Sequence, residues 1–214
     1  MIRELLPREI AVVEIRDRGG ELPALFPQEA AQVQRAIESR RREFAIGRAC
    51  ARAALVLLDD RPPVAIPVGD GRAPVWPDDV VGSITHSGGF CAAAVAHGSE
   101  FAAVGIDAEG LRPLPVGVRR LVLRPAELCG LPPEISWDAV AFSAKEAVFK
   151  AWFPLTGKWL DFLDVELSID VRAGGFVAVV RPTARQKDVP AEFAGRFSLE
   201  SGLALTAVCV ERAH

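Results

Sequence analysis

The order of apolar and polar residues along the chain predicts a mixed fold of short strands and a few long helices. Apolar runs of strand length lie between turns rich in glycine and proline, and other stretches repeat apolar residues every three or four positions, as helices do. The predicted strands are residues 10–15, 80–85, 91–96, 104–107, 165–169, 175–180, 195–199 and 204–210. The predicted helices are residues 28–58, broken near Ser39, 119–131 and 137–152. The glycines after Ser87 predict either a hairpin or a strand–turn–helix unit. The expected fold class is α/β, of the α+β kind.

A faint internal repeat indicates two similar lobes. Residues 83–88 and residues 198–202 have similar serine- and glycine-containing sequences, and an apolar run follows each of them. Each half of the chain also carries one strong helical pattern. We therefore expect a boundary near Ala102, with an N-terminal lobe over residues 1–102 and a C-terminal lobe over residues 103–214.

Composition narrows the class of protein. A chain of 214 residues, half of them apolar, can bury a sizeable core, and the charged fraction of 25% excludes general disorder. No apolar run reaches the roughly 18 residues of a membrane span, and the first residues lack a secretion signal, so we expect a cytoplasmic protein. The net charge of −3 argues against general nucleic-acid binding. The four cysteines are dispersed among apolar neighbours, as buried reduced thiols are.

Two acidic residues follow an apolar stretch in the middle of the chain. In a strand, Asp107 and Glu109 project from the same face, because residues i and i+2 point in one direction. Two carboxylates side by side suit Mg²⁺, and oxygen ligands suit Mn²⁺ as well. The alternative is a solvated strand end that carries two ordinary surface acids.

A second pair of charges lies in the most apolar helical segment. Glu146 and Lys150 are four positions apart and therefore share one helix face. On an exposed helix they would form a surface ion pair of about 0.3–0.5 kcal/mol. The bulky side chains of Phe142, Val148 and Phe149 surround them instead, which favours a buried helix whose charges serve a ligand.

Arginines crowd one face of the first long helix. Arg41, Arg48 and Arg52 lie within about 40° of each other on a helical projection, and Arg40 flanks them. Guanidinium groups match phosphate oxygens in bidentate fashion. His86, which precedes a glycine-rich turn, is a candidate for one more phosphate donor. A solvated basic face and a structural histidine are the alternatives.

Taken together, three carboxylates, several arginines and a lysine suit phosphoryl-group chemistry on an anionic ligand. The motif Gly-Ile-Asp-x-Glu at residues 105–109, followed by Ser-x-Lys-Glu-x-x-x-Lys at residues 143–150, is also a specific signature. Further matching segments lie at residues 40–52, 74–86 and 195–207. By these motifs the chain resembles the two-lobed, Sfp-type 4′-phosphopantetheinyl transferases. It is most similar to the actinobacterial members, which prime siderophore and polyketide machinery.

The resemblance implies an activity and its partners. A pseudo-twofold pair of lobes would bind coenzyme A in the cleft between them. The 4′-phosphopantetheine arm of coenzyme A would be transferred to a serine of an acyl, peptidyl or aryl carrier protein, and adenosine 3′,5′-bisphosphate would be released. Because the cleft lies between two lobes of one chain, a monomer would suffice. Neither nucleic acid nor membrane is expected as a partner.

The resemblance also implies roles for individual residues. The expected Mg²⁺ ligands are Asp107, Glu109 and Glu146. The expected contacts to the phosphates of coenzyme A are Arg40, Arg48 and His86, and those to its pyrophosphate region are Lys145 and Lys150. Some relatives carry a lysine in the turn before the Pro-x-x-Pro segment, where this chain offers Arg72 as a replacement. The first 35 residues match nothing that we can align.

The expected mechanism is an in-line displacement in which Asp107, Glu146 and Lys150 are the catalytic residues. Glu146, or a water bound to the metal, would take the proton of the carrier serine, whose oxygen then attacks the β-phosphorus of coenzyme A. Lys150 would stabilise or protonate the leaving phosphate. Two other functions use the same residues. A phosphoesterase or pyrophosphatase would use water as the nucleophile, and a non-catalytic carrier-binding module would not need the acids.

Two surfaces complete the expectations. The pantetheine arm needs an apolar trough, for which the candidates are Phe142, Phe149, Trp159 and Leu160. Core packing is the alternative for these side chains. Because the carrier helix that presents the serine is typically acidic, a basic and apolar patch should meet it. Its candidates are Arg119, Arg120, Arg124, Leu121, Leu123 and Leu128.

Overall fold

A computed structural model describes residues 1–212, so His214 lies outside the described residues. The chain forms two antiparallel sheets, and each is covered by one long helix. The helices are α1 (Pro27–Val33), α2 (Glu38–Asp59), α3 (Val116–Val122) and α4 (Trp137–Thr156). The strands are β1 (Ala11–Arg16), β2 (Val80–Ser87), β3 (Phe90–His97), β4 (Phe101–Gly110), β5 (Val165–Asp170), β6 (Gly175–Val180), β7 (Glu192–Glu200) and β8 (Leu203–Glu211). The predicted mixed fold class is confirmed.

The first sheet has the strand order β1-β3-β2. In β3, alternate residues point to opposite faces, as the pleat requires. Cys91, Ala93 and Val95 face a core that includes Cys50 and Ala51 of α2. The opposite face of β3 belongs to a second core, shared with the other sheet. Strand β3 is therefore buried on both of its faces, which explains its continuous apolar run in the sequence.

The second sheet has the strand order β4-β8-β7-β6-β5, and α4 covers one of its faces. Small residues of α4, among them Ala144, Ala147 and Ala151, are fully buried there. Between the two sheets, Ile106 of β4 and Leu205 of β8 pack with Ile2 and Leu5 from the N-terminal turn. This shared core, rather than a continuous ladder of strands, joins the two halves of the molecule.

The faint sequence repeat corresponds to two matching hairpins. Two-residue turns join β2 to β3, through Gly88 and Gly89, and β7 to β8, through Ser201 and Gly202. All four residues have positive φ, as in the primed turns that suit tight hairpins. Of the two alternatives for residues 80–96, the hairpin is confirmed. The boundary expected near Ala102 falls inside β4 and stays a prediction.

The helix predicted over residues 119–131 is wrong. The structure has α3, which ends at Val122, and then a separate 3₁₀ turn over Pro125–Leu128. A proline disfavours helical geometry at the residue before it, and Arg124 is indeed extended, with φ −89° and ψ 140°. The break predicted near Ser39 in the first helical segment is real, but α2 already begins at Glu38.

Two expectations from composition can be compared with the described residues. Within residues 1–212, no helix has the length and apolar character needed to cross a bilayer. All four cysteines are free thiols, and Cys50 and Cys91 are buried as expected. Cys209 is only half-buried and Cys129 is exposed, so the prediction of four buried thiols is wrong for these two.

Helix α4 lies directly on β4 at Gly105. A Cβ atom placed on Gly105 would lie 1.9 Å from the carbonyl oxygen of Ala147 and 2.9 Å from the amide nitrogen of Ala151. Both contacts are with backbone, which cannot rotate away. Gly105 therefore sets the distance between the strand that carries Asp107 and the helix that carries Glu146.

We expect Gly105→Ala to lower the free energy of unfolding by about 3 kcal/mol, because the helix must shift away from the strand. Urea denaturation followed by circular dichroism measures the change. Gly117→Ala is the matched control, since a Cβ atom there would meet nothing within 4 Å. The control should leave stability within about 1 kcal/mol of the parent. Equal stability of the two variants would show that the close packing at Gly105 is not what sets the spacing.

Candidate active site

The four residues that the sequence assigned to catalysis and metal binding lie at the seam between the two sheets, where the edge strands β2 and β4 face each other. Asp107 and Glu109 are on β4, while Glu146 and Lys150 are one turn apart on α4. Asp107 is the most buried of these three acids, with 6% of its surface exposed. The charges of Asp107 and Glu109 both act on Glu146. Strand β4 and helix α4 therefore carry the three acids on neighbouring elements, and their convergence on one cation stays a prediction.

Three side chains hold the Asp107 carboxylate. Lys150 Nζ lies 2.8 Å from Oδ1, and Thr85 Oγ1 donates to the same oxygen at 3.2 Å. Ser143 Oγ donates to Oδ2 at 2.8 Å. Thr85 belongs to β2 of the first sheet, so the carboxylate is held from both sheets. A buried carboxylate with this many donors is fixed in orientation.

Lys150 is bound across the seam. Besides Asp107, its ammonium group donates to the carbonyl oxygen of Ile106 at 3.0 Å and, more weakly, to that of Ile84 at 3.4 Å. An ammonium group has three donor hydrogens, and these contacts occupy all of them. Lys150 therefore joins α4 to a strand of each sheet. Its expected contact with the leaving phosphate requires release of one of these bonds and stays a prediction.

The two glutamates of the site have raised pKa values. For Glu146, burial is the main cause, and repulsion from Asp107 and Glu109 adds to it, while Lys150 acts in the opposite direction. Burial is also the main cause for Glu109, whose Oε1 accepts the amide hydrogen of Gly110 at 3.1 Å. Burial and like-charge repulsion both make the protonated form more favourable. A bound cation would relieve that repulsion.

The three acids fit a divalent cation in their chemistry but are not gathered at ligand distance. Carboxylate oxygens are the ligands that Mg²⁺ and Mn²⁺ prefer. Within residues 1–212, the side chains whose ligand atoms do lie within 4.8 Å of one another are Asp59, Asp79 and His97, away from the seam. Arg61 donates to both of those aspartates, so that group is an ion-pair cluster. A shared cation at the seam would need a half-buried glutamate to turn toward Asp107.

Arg40 and His86, two of the predicted phosphate ligands, lie together. Arg40 Nη1 is 2.7 Å from His86 Nε2, and Glu43 Oε2 lies 3.5 Å from His86 Nδ1. Because arginine can only donate, Nε2 is the acceptor and the ring hydrogen of a neutral His86 is on Nδ1. Burial is the main reason that the pKa of His86 is lowered, and Arg40 adds to this effect. Asp107 and Lys150 also act on its pKa, so this pair lies close to the acid cluster.

Arg48 is buried rather than presented to solvent. Its guanidinium lies 4.3 Å from the Phe44 ring centroid, and its Nε donates to the carbonyl oxygen of Ile66 at 2.5 Å. Burial lowers the pKa of Arg48 to about 10. Arg52, the neighbour on the predicted basic face, forms an ion pair at 2.9 Å with the fully buried Glu29. The basic face is therefore partly structural, and phosphate binding by Arg48 stays a prediction.

Arg72 lies in a turn that contacts the second lobe. The turn has positive φ at Gly71, +59°, and at Arg72, +66°. A Cβ atom on Gly71 would lie 2.4 Å from Cζ of Phe153 in α4. Glycine is therefore required for both the backbone conformation and the close approach. This contact brings the exposed Arg72 next to the helix that carries Glu146, and its replacement of the family lysine stays a prediction.

Lys145 is the predicted site residue whose surroundings agree least with its predicted role. It is 2% exposed, and its ammonium group pairs with Glu127 at 2.8 Å. The same nitrogen donates at 3.0 Å to the carbonyl oxygens of Val122 and Phe162. Burial lowers the pKa of Lys145, while Glu127 acts in the opposite direction. These partners give Lys145 a structural role. Its contact with the pyrophosphate stays a prediction, and these hydrogen bonds do not favour it.

Sequence analysis missed the partners of the two buried ion pairs. Glu29 and Glu127 each lie two positions after a proline, at the start of a helical turn. Each accepts the amide hydrogen of the residue before that proline, and each also accepts an amide hydrogen from a distant segment. The shared pattern x-Pro-x-Glu, at residues 26–29 and 124–127, was the signal in the sequence. It is a second similarity between the two halves.

An apolar cavity opens beside Glu146. It has a volume of about 90 Å³ and is lined by Lys145, Glu146, Phe149, Trp159, Leu160, Asp161, Phe162 and Val165. Three of the four residues predicted for an apolar trough are thus gathered in one place. The fourth, Phe142, does not line the cavity but packs against Phe162, which does, with ring centroids 5.5 Å apart. Trp159 is 71% exposed at the rim, although its ring contacts Phe149.

The fold joins two sheets, each covered by a long helix, and the seam between them carries acidic and basic side chains. Two family models match the chain. The 4′-phosphopantetheinyl transferase N-terminal domain matches residues 28–96, and the 4′-phosphopantetheinyl transferase superfamily matches residues 103–199. The chain belongs to the 4′-phosphopantetheinyl transferase family.

Individual relatives of the chain are members of the same family. The chain is 49% identical over 195 residues to 4′-phosphopantetheinyl transferase Svp of Streptomyces mobaraensis, covering 87% of this chain and 78% of Svp. It is 40% identical over 193 residues to PptT of Mycobacterium tuberculosis, covering 86% and 85% of the two chains. It is 37% identical over 228 residues to Npt of Nocardia iowensis, covering 97% and 99%. The expected family and its actinobacterial character are confirmed, and the chain is a transferase enzyme.

The raised pKa of Glu146 predicts a pH effect on stability. A carboxyl whose pKa is higher in the folded protein contributes stability at low pH and loses it as the pH rises above about 4.3, its ordinary value. Glu146→Gln has no such ionisation. We therefore expect the difference in melting temperature, variant minus parent, to grow as the pH rises from 4 to 8. Thermal unfolding in a series of buffers without divalent cations measures it, and a constant difference would contradict the effect.

Proposed function

We propose that the chain transfers the 4′-phosphopantetheine arm of coenzyme A to a serine of a carrier protein, with release of adenosine 3′,5′-bisphosphate. The proposal includes dependence on a divalent cation, Mg²⁺ or Mn²⁺. The observation that supports it is the placement of Asp107, Glu109 and Glu146 on the adjoining β4 and α4, with the Arg40–His86 pair on the other side of the seam. Family membership supports the transfer reaction. The carboxylates support the cation, since they fit it in donor chemistry.

In the proposed mechanism, the cation would be held by the three acids and would neutralise charge on the pyrophosphate of coenzyme A. Glu146, or a water held by the cation, would accept the proton of the carrier serine. The serine oxygen then attacks the β-phosphorus in line. Arg40 and His86 would bind a phosphate of coenzyme A. Lys150 remains the candidate for stabilising the leaving phosphate.

The apolar cavity beside Glu146 is proposed as the start of the trough for the pantetheine arm. That arm is largely uncharged, so its affinity must come from apolar contacts and a few hydrogen bonds. Phe149 and Leu160 line the cavity, and the exposed Trp159 stands at its rim. The cavity opens next to the proposed base, which is where the phosphate end of the arm must lie for transfer.

Helix α3 is proposed as the docking surface for the carrier. Val116 and Leu121 are 68% and 69% exposed, and the exposed Arg119 and Arg120 lie between them in the sequence. Apolar and positive groups on one short helix complement an acidic, amphipathic carrier helix. Within the patch expected from the sequence, Leu123 is buried in the core and Arg124 donates to the carbonyl oxygen of Leu163. These two residues therefore fall outside the docking surface.

We further propose that the chain works as a monomer in the cytoplasm. Its free cysteines suit a reducing compartment. The groups proposed for the reaction all come from one chain, so a second copy is not needed to complete the site. The division into lobes at residues 1–102 and 103–214 is part of the same proposal, with coenzyme A phosphates held mainly by the first lobe and the cation by the second.

The first test is transfer itself. Intact mass spectrometry of a panel of apo carrier proteins, incubated with coenzyme A and Mg²⁺, should show the gain of one phosphopantetheine group, and chelation of the cation should prevent it. We expect Asp107→Asn to reduce the transfer rate by more than about 100-fold, because the charge of a cation ligand is removed. Asp170→Asn makes the same change at an exposed turn and should leave the rate unchanged.

The other functions have distinct outcomes in that experiment. Steady release of phosphopantetheine without any carrier would indicate a phosphoesterase or pyrophosphatase and would overturn transfer. Tight carrier binding with no gain in carrier mass would indicate a binding module. Transfer at the parental rate by the Asp107→Asn variant would overturn the assignment of the cation site.

Charge reversal tests the docking surface. We expect the double substitution Arg119→Glu and Arg120→Glu to raise the KM for the carrier by about tenfold, because both charges would repel an acidic helix. The kcat and the KM for coenzyme A should not change. Arg172→Glu, at the exposed turn between β5 and β6, is the matched control. An unchanged carrier KM in the double variant would remove α3 as the docking helix.

A further inference from the structure

A chain of buried hydroxyl groups runs behind the Asp107 carboxylate. Thr85 of β2, Ser143 of α4 and Thr206 of β8 are 2%, 0% and 0% exposed. Thr206 is the direct cross-strand partner of Asp107 in the β4–β8 ladder. The three hydroxyls therefore come from three different elements. Those of Thr85 and Ser143 contact the carboxylate directly, and that of Thr206 contacts Ser143. Nothing in the proposed mechanism uses them.

The direction of each hydrogen bond can be deduced. Asp107 is paired with Lys150 as a carboxylate, so the hydroxyl of Ser143 must be the donor to Oδ2, at 2.8 Å. Thr206 then donates in its contact with Ser143, sharing its hydrogen between Oγ and the carbonyl oxygen, both at 2.9 Å. Thr85 accepts the amide hydrogen of Ala108 at 3.0 Å and passes its own to Oδ1. Each hydroxyl is thus held by a second bond.

The number of acceptor sites on the Asp107 carboxylate shows how many of them remain for a ligand. A carboxylate has about four acceptor sites, two on each oxygen. Lys150 and Thr85 occupy both sites of Oδ1, and Ser143 occupies one site of Oδ2. One site remains, on Oδ2. Because the hydroxyls are neutral, they orient the carboxylate without cancelling its charge.

We propose that Ser143 is a positioning residue that presents Oδ2 of Asp107 to the divalent cation. Thr206 donates a hydrogen bond to Ser143, and Thr85 holds the other carboxylate oxygen, Oδ1. This inference rests on the proposed function, since it takes Asp107 as a cation ligand. Packing alone does not explain a hydroxyl at this position. Ala139, Val140 and Ala147, which lie one turn away from Ser143 on α4, are fully buried and apolar, and an unpaired polar group would be costly beside them. Groups that orient metal ligands in this way commonly affect metal affinity by 10- to 100-fold.

The test compares Ser143→Ala with Ser198→Ala. Both remove one hydroxyl, but Ser198 Oγ is buried without a hydrogen-bond partner within residues 1–212, so it is a matched control. Binding of Mn²⁺ is measured from the loss of the free-ion electron paramagnetic resonance signal, with coenzyme A present and no carrier. We expect about tenfold weaker Mn²⁺ binding in Ser143→Ala and parental binding in Ser198→Ala.

Kinetics separate positioning from a general structural defect. In Ser143→Ala, the Mg²⁺ concentration for half-maximal transfer should rise in the same proportion, while kcat at saturating Mg²⁺ and the KM for coenzyme A stay close to the parental values. If Ser143→Ala does not fold, Ser143→Cys, a weaker donor of similar size, is measured in the same way and should give a smaller shift in the same direction.

The outcomes separate the two hypotheses. Parental protein that binds Mn²⁺, together with a Ser143→Ala variant that binds it equally well, would overturn the positioning role and leave the proposed function intact. Parental protein that shows no Mn²⁺ binding in the presence of coenzyme A would overturn the cation site itself. A loss of kcat at saturating Mg²⁺ without a change in Mn²⁺ affinity would assign Ser143 to the fold rather than to the cation.

Discussion

The seam between β2 and β4 is the constraint on which the rest of this structure depends. Two strand edges face each other there, and their backbone groups need partners. They do not pair with each other. Instead, the hydroxyls of Ser83 and Thr85 accept amide hydrogens of β4, and Lys150 donates to a carbonyl oxygen of each strand. A direct ladder would merge the two sheets into one, whereas side-chain pairing leaves room for functional groups along the junction.

Each lobe fixes its long helix with a buried ion pair of the same design. Arg52 of α2 pairs with Glu29, and Lys145 of α4 pairs with Glu127. In both cases the glutamate follows a proline by two positions. It accepts the amide hydrogen of the residue before that proline and a second amide hydrogen from a distant segment. A buried charge is tolerated only where it is paired and its remaining acceptor sites are used, and both glutamates meet that condition. The repetition of this arrangement is stronger support for two related halves than the short hairpin similarity alone.

Local geometry explains which parts of the site could be predicted from the sequence. Residues two apart on a strand, or four apart on a helix, share a face whatever the rest of the chain does. That geometry placed Asp107 with Glu109, and Glu146 with Lys150. It also places Lys145 on a different face from Glu146, since adjacent residues differ by about 100° around a helix. Helical projection therefore separates the buried lysine from the acid, although the resemblance assigned Lys145 a contact with the pyrophosphate of coenzyme A.

The sequence by itself determined the family, the mixed fold, the turn at the glycines after Ser87 and the pairs of charged residues that share a face. These features depend on residue spacing and on turn chemistry, both of which are local. Only the tertiary structure decided which charges are committed to structure and which remain for a ligand. Arg52, Lys145 and Arg40 look alike as basic side chains in a sequence, but the first two meet buried glutamates from distant segments. Burial and partner choice are set by what packs across the chain, and no local pattern contains that information.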